Sequence, residues 1–322
     1  MTRVHVWGAA GYAAAEAVRY VRAHPYLELG VLESRSHAGA GVGDHFPLLR
    51  TLDRKFDGPG AVLAWARPGD AVVTASGQGE AAEIVGPLLS GGVRVVDLSA
   101  DYRFDAAAAY GLPEFFGEAI AGAPLVANPG CYPTAAALAL LPLADVATPL
   151  AVAIDAKSGI SGAGRNPSVG ALFAEVAGDV RAYGLSGHRH QAEIERNLRS
   201  RGIAAPVAFT PHVVPLARGM LVDCYAVFAA PVDAAAVRAA YLRAYAGSPF
   251  VRVLDGDRTP SVSAVNGTNA AELRVDALGT LVRAICAIDN LGKGAAGQAV
   301  QNLNLMLGFP QETGLDGRAV VA

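Results

Sequence analysis

A cysteine in the middle of the chain stands where a nucleophile could be built. Residues 124–127 predict a short buried strand, Pro129 and Gly130 then break the chain, and an apolar stretch follows. Pro133 suits the first turn of a helix, where its missing N–H costs nothing. Cys131 is therefore expected at a helix N-terminus, whose N–H groups and dipole favour a thiolate and can hold an oxyanion or a departing phosphate. Without this setting, a buried core thiol would be the simpler interpretation.

Two histidines further along the chain could move protons for such a thiolate. His188 and His190 precede a predicted helix, with Arg189 between them and Glu193 inside the helix. Histidines two apart in a loop are seldom both core residues, so this segment is a candidate acid/base group. His212 follows a predicted strand and could bring a third imidazole nearby, although a structural role would explain it equally well. The residues alone leave open which histidine transfers the proton.

Two polar, glycine-rich segments interrupt the apolar second half of the chain. Residues 157–165 follow a predicted strand, and their backbone N–H groups could cradle an anion. Residues 289–295 lead into the last predicted helix, where the amide of Asn290 could contact a nicotinamide carboxamide. Two of the three lysines, Lys157 and Lys293, fall in these segments, which is a weak indication that their ammonium groups matter.

The N-terminal segment carries a glycine motif that suits a dinucleotide. Gly8, Gly11 and Ala14 are spaced three apart, after the predicted strand 4–7 and at the start of a helix that continues to Ala23. Gly8 would allow a tight turn, and Gly11 would let the backbone approach a pyrophosphate at the helix N-terminus. The spacing is Gly-x-x-Gly rather than Gly-x-Gly, so a strand-to-helix turn without a ligand is the alternative.

The residues after the second predicted strand bear on the choice of cofactor. Enzymes of this fold distinguish a ribose 2′-hydroxyl from a 2′-phosphate at this point. Ser34 and Arg35 could bind the phosphate of NADP through a hydroxyl and a bidentate guanidinium. Glu33 could instead accept a hydrogen bond from the hydroxyl of NAD. We favour NADP.

Two predicted domains of different architecture carry these residues. Strand and helix signals alternate up to the turn before Cys131, which predicts a Rossmann-type, doubly wound parallel sheet. The later strands predict a mostly antiparallel sheet with helices on one face. We therefore expect an α/β protein with an NADP-binding domain at 1–131, completed by a C-terminal helix at 292–322, and an α+β catalytic and dimerisation domain at 132–291. Gly308 and Pro310 predict that the periodic part of the last helix stops before them.

The composition excludes several classes of function. The chain has 322 residues, of which 52% are hydrophobic and 17% charged, and this suits two globular domains. No apolar run reaches membrane-spanning length, and a net charge of −3 without charge blocks predicts no nucleic-acid or membrane partner. The three cysteines, Cys131, Cys224 and Cys286, have neither metal nor disulfide spacing. We therefore expect no metal, a cytoplasmic location and two core thiols.

Long motifs throughout the chain resemble the family of N-acetyl-γ-glutamyl-phosphate reductases. They lie at residues 8–16, 97–103, 128–134, 157–165, 187–193, 209–215 and 290–302. The resemblance implies an NADPH-dependent reduction of a small acyl phosphate in arginine biosynthesis. In this reaction the thiolate of Cys131 displaces phosphate to give a thioester, and hydride transfer yields a thiohemiacetal that collapses to the semialdehyde. Homo-oligomers are common among such enzymes, so we also expect a dimer or tetramer.

The same resemblance implies roles for individual side chains. His190 is the implied acid/base group, with Glu193 and His188 orienting it or the substrate. The residues expected to meet the substrate's carboxylates or phosphate are Arg103, Asn128, Arg165, Arg189 and His212. The residues expected along the cofactor are Gly8, Ala10, Gly11, Tyr12, Ala13, Ser34, Arg35, Ser161, Gly162, Asn290 and Gly294.

The chain departs from the family pattern at several positions. Ala10, Ala13 and Ala14 replace the usual Ser, Thr and Gly of the first turn, which removes two hydroxyls but no backbone contact. Weaker cofactor binding is the most that we expect from this loss. Ser76 stands where a histidine is frequent, and Ala217 stands where asparagine is common, so the family's usual contacts are not expected at these two places.

Other functions remain alternatives. The related carrier-bound α-aminoadipyl-phosphate reductase of lysine biosynthesis tends to lack both the Asn-Pro-Gly before the cysteine and the Pro-His at 211–212. Aspartate-semialdehyde dehydrogenase shares the chemistry but not the Gly-His-Arg-His run at 187–190. A cofactor-free cysteine hydrolase would need neither the glycine turn nor Arg35. A redox sensor that binds NADP would have no use for residues 188–193.

Overall fold

The computed structural model describes residues 1–315, which divide into two compact units. The first unit comprises Met1–Pro129 and the segment that begins at Ala295, and the second unit comprises Gly130–Gly294. The division falls two residues before the predicted one, so that Cys131 belongs to the second unit. The predicted C-terminal helix 292–322 extends over residues 316–322, which lie outside the described residues.

Six parallel strands form the sheet of the first unit, namely β1 (Thr2–Trp7), β2 (Leu27–Glu33), β3 (Ala71–Thr74), β4 (Arg94–Asp97), β5 (Ala109–Tyr110) and β6 (Leu125–Ala127). Their order across the sheet is β2-β1-β3-β4-β6-β5. The change of direction beside β1 places the crevice of the fold at the end of β1, where the glycine motif begins. The predicted doubly wound parallel sheet is confirmed.

Helices cover both faces of this sheet, namely α1 (Tyr12–Ala23), α2 (Val42–His45), α3 (Ala61–Trp65), α4 (Ala82–Ser90) and α5 (Pro113–Ile120). Neighbouring strand residues point to opposite faces, and both faces are apolar. Val6 and Leu32 lie in one buried cluster with α1, whereas Trp7 and Val31 lie in another with α3 and α4. A sheet buried on both faces requires such continuous apolar runs.

A seven-stranded mixed sheet organises the second unit, with strands β7 (Ala151–Ser158), β8 (Arg181–Ala182), β9 (Val207–Val213), β10 (Met220–Val227), β11 (Val251–Val253), β12 (Ala271–Leu278) and β13 (Leu281–Ile288). The order is β11-β12-β13-β10-β7-β9-β8, and only the β11–β12 and β7–β9 pairs are parallel. Burial alternates along β7 and β10, which means that one face is covered and the other is open. The mostly antiparallel prediction is confirmed.

The helices of the second unit are α6 (Cys131–Leu140), α7 (Phe173–Val176), α8 (Arg189–Ser200), α9 (Ala234–Tyr245) and α10 (Val262–Val265). A π-helical turn, Gly292–Ala296, leads into the last helix, α11 (Gly297–Leu307). Gly308 ends α11 in the left-handed conformation, with φ 78°, so the helix stops where its glycine predicts and does not continue to 315. Within residues 1–315, no helix has the length and apolar character to cross a membrane.

Candidate active site

Cys131 occupies the first position of α6, as the turn chemistry predicts. Gly130 caps the helix in an extended conformation, and Pro133 lies in the first turn. The remaining residues of α6 are all buried, because the helix packs against the central strands of the second sheet. Cys131 itself is partly exposed, whereas Cys224 and Cys286 are fully buried. The chain therefore offers one accessible thiol among the described residues.

Glu193 fixes the turn that carries this thiol. The side chain lies on α8, is almost fully buried, and its Oε1 accepts a hydrogen bond from the backbone N–H of Gly130 at 3.0 Å. The residue immediately before Cys131 is thus tied to α8 by a carboxylate. This contact gives Glu193 a positioning role at the start of α6.

The two neighbouring histidines have different surroundings. His188 is the N-cap of α8, and its Nδ1 accepts from the backbone N–H of His190 at 3.1 Å. The neutral ring consequently carries its proton on Nε2. Burial, together with the charge of Arg189, lowers the pKa of His188 below its usual value. His188 is therefore suited to hold the helix start as a neutral group.

His190 lies beside the residue that follows the cysteine. Its side chain is buried, and its ring centroid lies 5.9 Å from that of Tyr132 and 4.9 Å from that of His188. Gly130 and Tyr132, on either side of Cys131, therefore both meet the first turns of α8. A role of His190 in proton transfer stays a prediction.

Tyr183 also lies at the site, although the sequence did not identify it as a candidate. Its hydroxyl donates to the hydroxyl of Tyr132 at 3.3 Å, and Tyr132 in turn donates to the carbonyl of His212 at 3.2 Å. Burial is the main reason that both tyrosines have a raised pKa, and the nearby charge of Cys131 adds to it. These hydroxyls remain protonated donors. An isolated tyrosine in a loop gave no pattern that could have revealed this contact.

His212 and Lys157 lie within strands rather than in the predicted loops. β9 continues through Pro211 to Val213, and His212 faces Lys157 across the β7–β9 pair. The Nδ1 of His212 lies 3.0 Å from Oδ1 of Asp155, and the ammonium of Lys157 lies 2.9 Å from Asp155 and 2.6 Å from Asp223. Both side chains thus have carboxylate neighbours in the sheet. The ammonium of Lys157 is thus paired within the sheet, and an anion site made by the backbone N–H groups of residues 157–165 stays a prediction.

The remaining substrate candidates of the second unit stand at its loops. Arg189 is exposed at the first position of α8, and Arg165 is half-buried at the end of the glycine-rich segment. Their contact with substrate stays a prediction.

The oxygen and the nitrogen of the Asn290 side-chain amide both form hydrogen bonds within the protein. Its Oδ1 accepts from the N–H of Gly219 at 2.6 Å, and its Nδ2 donates to Oγ of Ser161 at 2.9 Å. Asn290 thus links two loops of the second unit, and its contact with a nicotinamide carboxamide stays a prediction. Gly162 lies in the short helical turn that begins after Gly159. Gly294 lies directly beside the cysteine, since a Cβ at Gly294 would lie 2.7 Å from the Cβ of Cys131.

The side chains of Arg103 and Asn128 form hydrogen bonds within the first unit. The Nε of Arg103 donates to the carbonyl of Asn128 at 2.9 Å, and Nη2 donates to the carbonyl of Leu98 at 3.0 Å. The Oδ1 of Asn128 accepts from Asn302 at 3.0 Å, and its N–H donates to the carbonyl of Asp97 at 2.8 Å. Both side chains are buried and fix the chain after β6. A direct contact of either with substrate stays a prediction.

The glycine motif has the geometry that a pyrophosphate needs. Gly8 has φ 79°, and a Cβ there would lie 2.9 Å from the backbone of Ala75, so only glycine fits. Gly11 precedes α1 without a side-chain cap among the described residues, and the space beside it is open. The carbonyl of Ala10 lies 3.2 Å from Nε2 of His45, while Tyr12 and Ala13 begin α1. The first N–H groups of α1 are thus available to an anion.

The carboxylate of Glu33 accepts hydrogen bonds from within the protein and is therefore not available to a ribose hydroxyl. Its Oε1 accepts from Nε1 of Trp7 at 3.2 Å and from the N–H of Gly60 at 3.0 Å. Its Oε2 accepts from the N–H of Val62 at 2.8 Å, so the buried carboxylate caps α3. The NAD alternative based on Glu33 is therefore wrong for this structure.

Ser34 and Arg35 differ in their availability. The hydroxyl of Ser34 is buried and accepts from the N–H of His37 at 3.2 Å. The side chain of Arg35 is 52% exposed, with its guanidinium 2.6 Å from Glu83 and 5.5 Å from the centre of the Trp7 ring. It borders a cavity of about 140 Å³ that Trp7 and Leu63 also line. Arg35 is thus the accessible cation at the end of β2.

Comparisons with known proteins agree with this arrangement. A family model described as "Semialdehyde dehydrogenase, NAD binding domain" matches residues 3–123, and one described as "Semialdehyde dehydrogenase, dimerisation domain" matches residues 131–290. Solved structures share the fold: an aspartate semialdehyde dehydrogenase II from Vibrio cholerae superposes with a TM-score of 0.76 at 19% identity, over 95% of this chain and 98% of that one. The enzyme from Candida albicans gives a TM-score of 0.73 at 16% identity, over 96% and 99%.

Curated relatives are much more similar in sequence. "N-acetyl-gamma-glutamyl-phosphate reductase" of Moorella thermoacetica is 41% identical over 98% of this chain and 98% of its own length. The protein of the same name from Geobacter metallireducens is 41% identical over 98% and 99%, and that from Dehalococcoides mccartyi strain CBDB1 is 42% identical over 97% and 96%. The chain belongs to the N-acetyl-γ-glutamyl-phosphate reductase family, within the semialdehyde dehydrogenases.

Proposed function

We propose that this protein reduces N-acetyl-γ-glutamyl phosphate to N-acetylglutamate semialdehyde and phosphate with NADPH, a step of arginine biosynthesis. The observation that carries the proposal is the partly exposed thiol of Cys131 at the start of α6, next to α8 with its Glu193 and His190. Relatives about 40% identical over their whole length bear the name of this reaction. A catalytic thiol that must stay reduced also suits the cytoplasm.

The first half of the reaction follows from the position of the sulfur. The thiolate attacks the acyl carbon, a C–S bond forms, and the carbonyl electrons move to oxygen. The N–H groups at the start of α6 can stabilise that oxyanion. When the carbonyl re-forms, the bond between the acyl carbon and the phosphate oxygen breaks, and phosphate leaves with its electron pair. A thioester on Cys131 remains.

The second half needs a hydride and a mobile proton. NADPH, when bound, supplies the hydride to the acyl carbon. His190 would hold and move the proton on the acyl oxygen, because its imidazole lies beside α6 while His188 is engaged as a cap. Departure of the thiolate then releases the aldehyde and restores Cys131. Glu193 keeps the turn in place throughout.

One assay separates this proposal from the alternatives. In the reverse direction, purified protein should convert the semialdehyde, NADP and inorganic phosphate to acyl phosphate, with a rise in NADPH absorbance. Omission of phosphate should abolish the rise, because phosphate is the only nucleophile that completes the cycle. An aldehyde dehydrogenase would work in water alone, and a hydrolase would give no NADPH. Either result would contradict the proposal.

The residues that would hold NADP fit that cofactor. The open N-terminus of α1 suits the pyrophosphate, and Arg35 suits the 2′-phosphate, whereas the carboxylate of Glu33 is engaged in capping α3. The contact between Arg35 and Glu83 is exposed and worth little, about 0–1 kcal/mol, so a doubly charged phosphate can replace it.

Replacement of Arg35 by alanine should therefore raise the KM for NADP much more than that for NAD. Loss of the charge-assisted hydrogen bonds predicts a change of roughly 1.5–3 kcal/mol, or about 10- to 150-fold. Arg22→Ala is a matched control, because this guanidinium is exposed at the far end of α1 and bonds to Thr51. Steady-state kinetics with both cofactors measure the effect. Equal changes for NADP and NAD would rule out the phosphate contact.

A homodimer is the oligomer that we propose. The second unit matches a family model named for dimerisation, and the open face of its sheet carries half-buried residues such as Tyr225 and Ile285. Phe173, in the segment before β8, is 86% exposed. Exposure of a large apolar ring does not stabilise a monomer, whereas its burial in an interface would stabilise a dimer. Sedimentation equilibrium at micromolar concentration should give twice the chain mass. A monomer at that concentration would contradict this assignment.

A further inference from the structure

Asp289 is a carboxylate without access to solvent, at the end of β13 in the second unit. Its Oδ1 accepts from the N–H groups of Leu291 at 2.9 Å and Gly292 at 3.2 Å. Its Oδ2 accepts from the N–H of Gly267 and lies 2.7 Å from Nη2 of Arg218. The side chain of Asp289 thus interacts with three backbone N–H groups and one guanidinium. Burial of a charge at this depth is costly and persists only with such partners.

The partners of Asp289 include the segment that lies against the cysteine. The backbone carbonyl of Asp289 accepts from the N–H of Gly294 at 2.9 Å. Gly294 in turn touches Cys131, since a Cβ there would lie 2.7 Å from the Cβ of Cys131. On the other side, a Cβ on Gly292 would collide with the carbonyl oxygen of Thr268. Gly292 therefore lies against Thr268 and Gly294 lies against the cysteine, and neither glycine position has room for a side chain, whereas the side chain of Lys293 between them is fully buried.

A second contact supports the same segment from the neighbouring loops. Gly219, next to Arg218 in the chain, donates its N–H to Oδ1 of Asn290 at 2.6 Å, and Asn290 donates to Ser161 at 2.9 Å. Asp289 and Asn290 are consecutive, so the turn after β13 is fastened on two sides. Arg218 is the charged member of this arrangement, and its side chain is partly exposed.

We propose that Asp289 is a positioning residue that presses the backbone of Gly292–Gly294 against Cys131 and so sets how much of the thiol is accessible. The inference rests on the proposed function only in taking Cys131 as the nucleophile. Asp289 touches neither sulfur nor substrate and acts through Gly294. Arg218 contributes by neutralising the carboxylate and fixing its orientation.

Asp289→Asn keeps the shape of the side chain but replaces one acceptor oxygen by an N–H₂ donor. Whichever way the amide is oriented, a donor faces either the two N–H groups of Leu291 and Gly292 or those of Gly267 and Arg218. The segment 292–294 should then move away from the cysteine. We expect Cys131 to become more accessible while kcat falls about 100-fold, the size of effect that a displacement near 1 Å produces.

Native-state alkylation with iodoacetamide tests this without any turnover. Peptide mass spectrometry should show that Asp289→Asn labels severalfold faster at Cys131, while Cys224 and Cys286 stay protected as they are in the folded core. Asp145→Asn is the matched control, because this carboxylate also pairs with an arginine, Arg201, but at the surface. The control should label like the unmodified protein.

Labelling of Cys131 at the unmodified rate in folded Asp289→Asn would overturn the proposal. If this variant labels all three cysteines together, it has unfolded, and Arg218→Gln carries the test because it leaves intact the two carboxylate oxygens that accept from the three backbone N–H groups. Faster labelling confined to Cys131 in that variant supports the proposal, and an unchanged rate overturns it. Absence of phosphate-dependent NADP reduction in the unmodified protein would refute the proposed reaction but leave the labelling result valid.

Discussion

Cys131→Ser should reduce the rate of phosphate-dependent NADP reduction by about 10⁴-fold or more, because a serine hydroxyl is not ionised near neutral pH and no thioester can form. Serine is a good residue at a helix start and is nearly the same size, so α6 and its burial should be unchanged. The loss would therefore belong to the chemistry and not to the fold. Initial rates and thermal unfolding of the same preparations measure both.

Cys224→Ala is the matched control for this substitution. Cys224 is fully buried on β10, and its thiol has a raised pKa chiefly because of burial. The variant should lose some stability through the small cavity but keep its rate per folded molecule. A Cys131→Ser protein that retained most of its activity would remove the thioester from the mechanism.

His190→Asn should lower kcat by about 10²- to 10⁴-fold, which is the usual contribution of a general acid/base. The side chain is buried next to Tyr132, and asparagine can fill much of the same space without titrating. The dependence of kcat on pH should also flatten in the variant, because the group that exchanges the proton is gone. Rates between pH 5 and 9 measure this loss.

His188→Asn separates the two histidines. Asparagine is a preferred N-cap, so it can replace the Nδ1 acceptor that now holds the N–H of His190. We expect this variant to fold normally and to keep most of its rate. A loss as large as that of His190→Asn would mean that the proton moves through His188 instead.

The local parts of the site follow from the sequence because short-range rules decide them. Pro133 and the Pro-Gly break place Cys131 at the first position of α6, and the glycine at 308 ends α11. Apolar periodicity places the long strands and helices within a few residues. These features depend on backbone rules and on neighbours close in the chain.

The engagement of polar side chains could not be predicted in the same way. Glu33 stood in the right place for a ribose, yet Trp7, Gly60 and Val62 occupy its oxygens. The amide of Asn290 is likewise taken by partners 71 and 129 residues away. Such partners meet only after the chain has packed, and no spacing in the sequence records them.

One strand limit was wrong around Pro211. The sequence predicts that His212 follows a strand, but β9 continues through Pro211 and His212 to Val213. Proline lacks only its own N–H, and its carbonyl still accepts from the N–H of Tyr183 across the sheet. The two-residue strands β5 and β8 were missed as well, because they depend on pairing with a neighbour and not on any pattern of their own.

Direct observation of the acyl-enzyme is the decisive measurement. Protein mixed with N-acetyl-γ-glutamyl phosphate in the absence of NADPH should release one phosphate per active site and gain the mass of one N-acetylglutamyl group. Peptide mapping should place that group on Cys131, and subsequent addition of NADPH should remove it as the semialdehyde. Phosphate release without any adduct on this cysteine, or an adduct on another residue, would contradict the account.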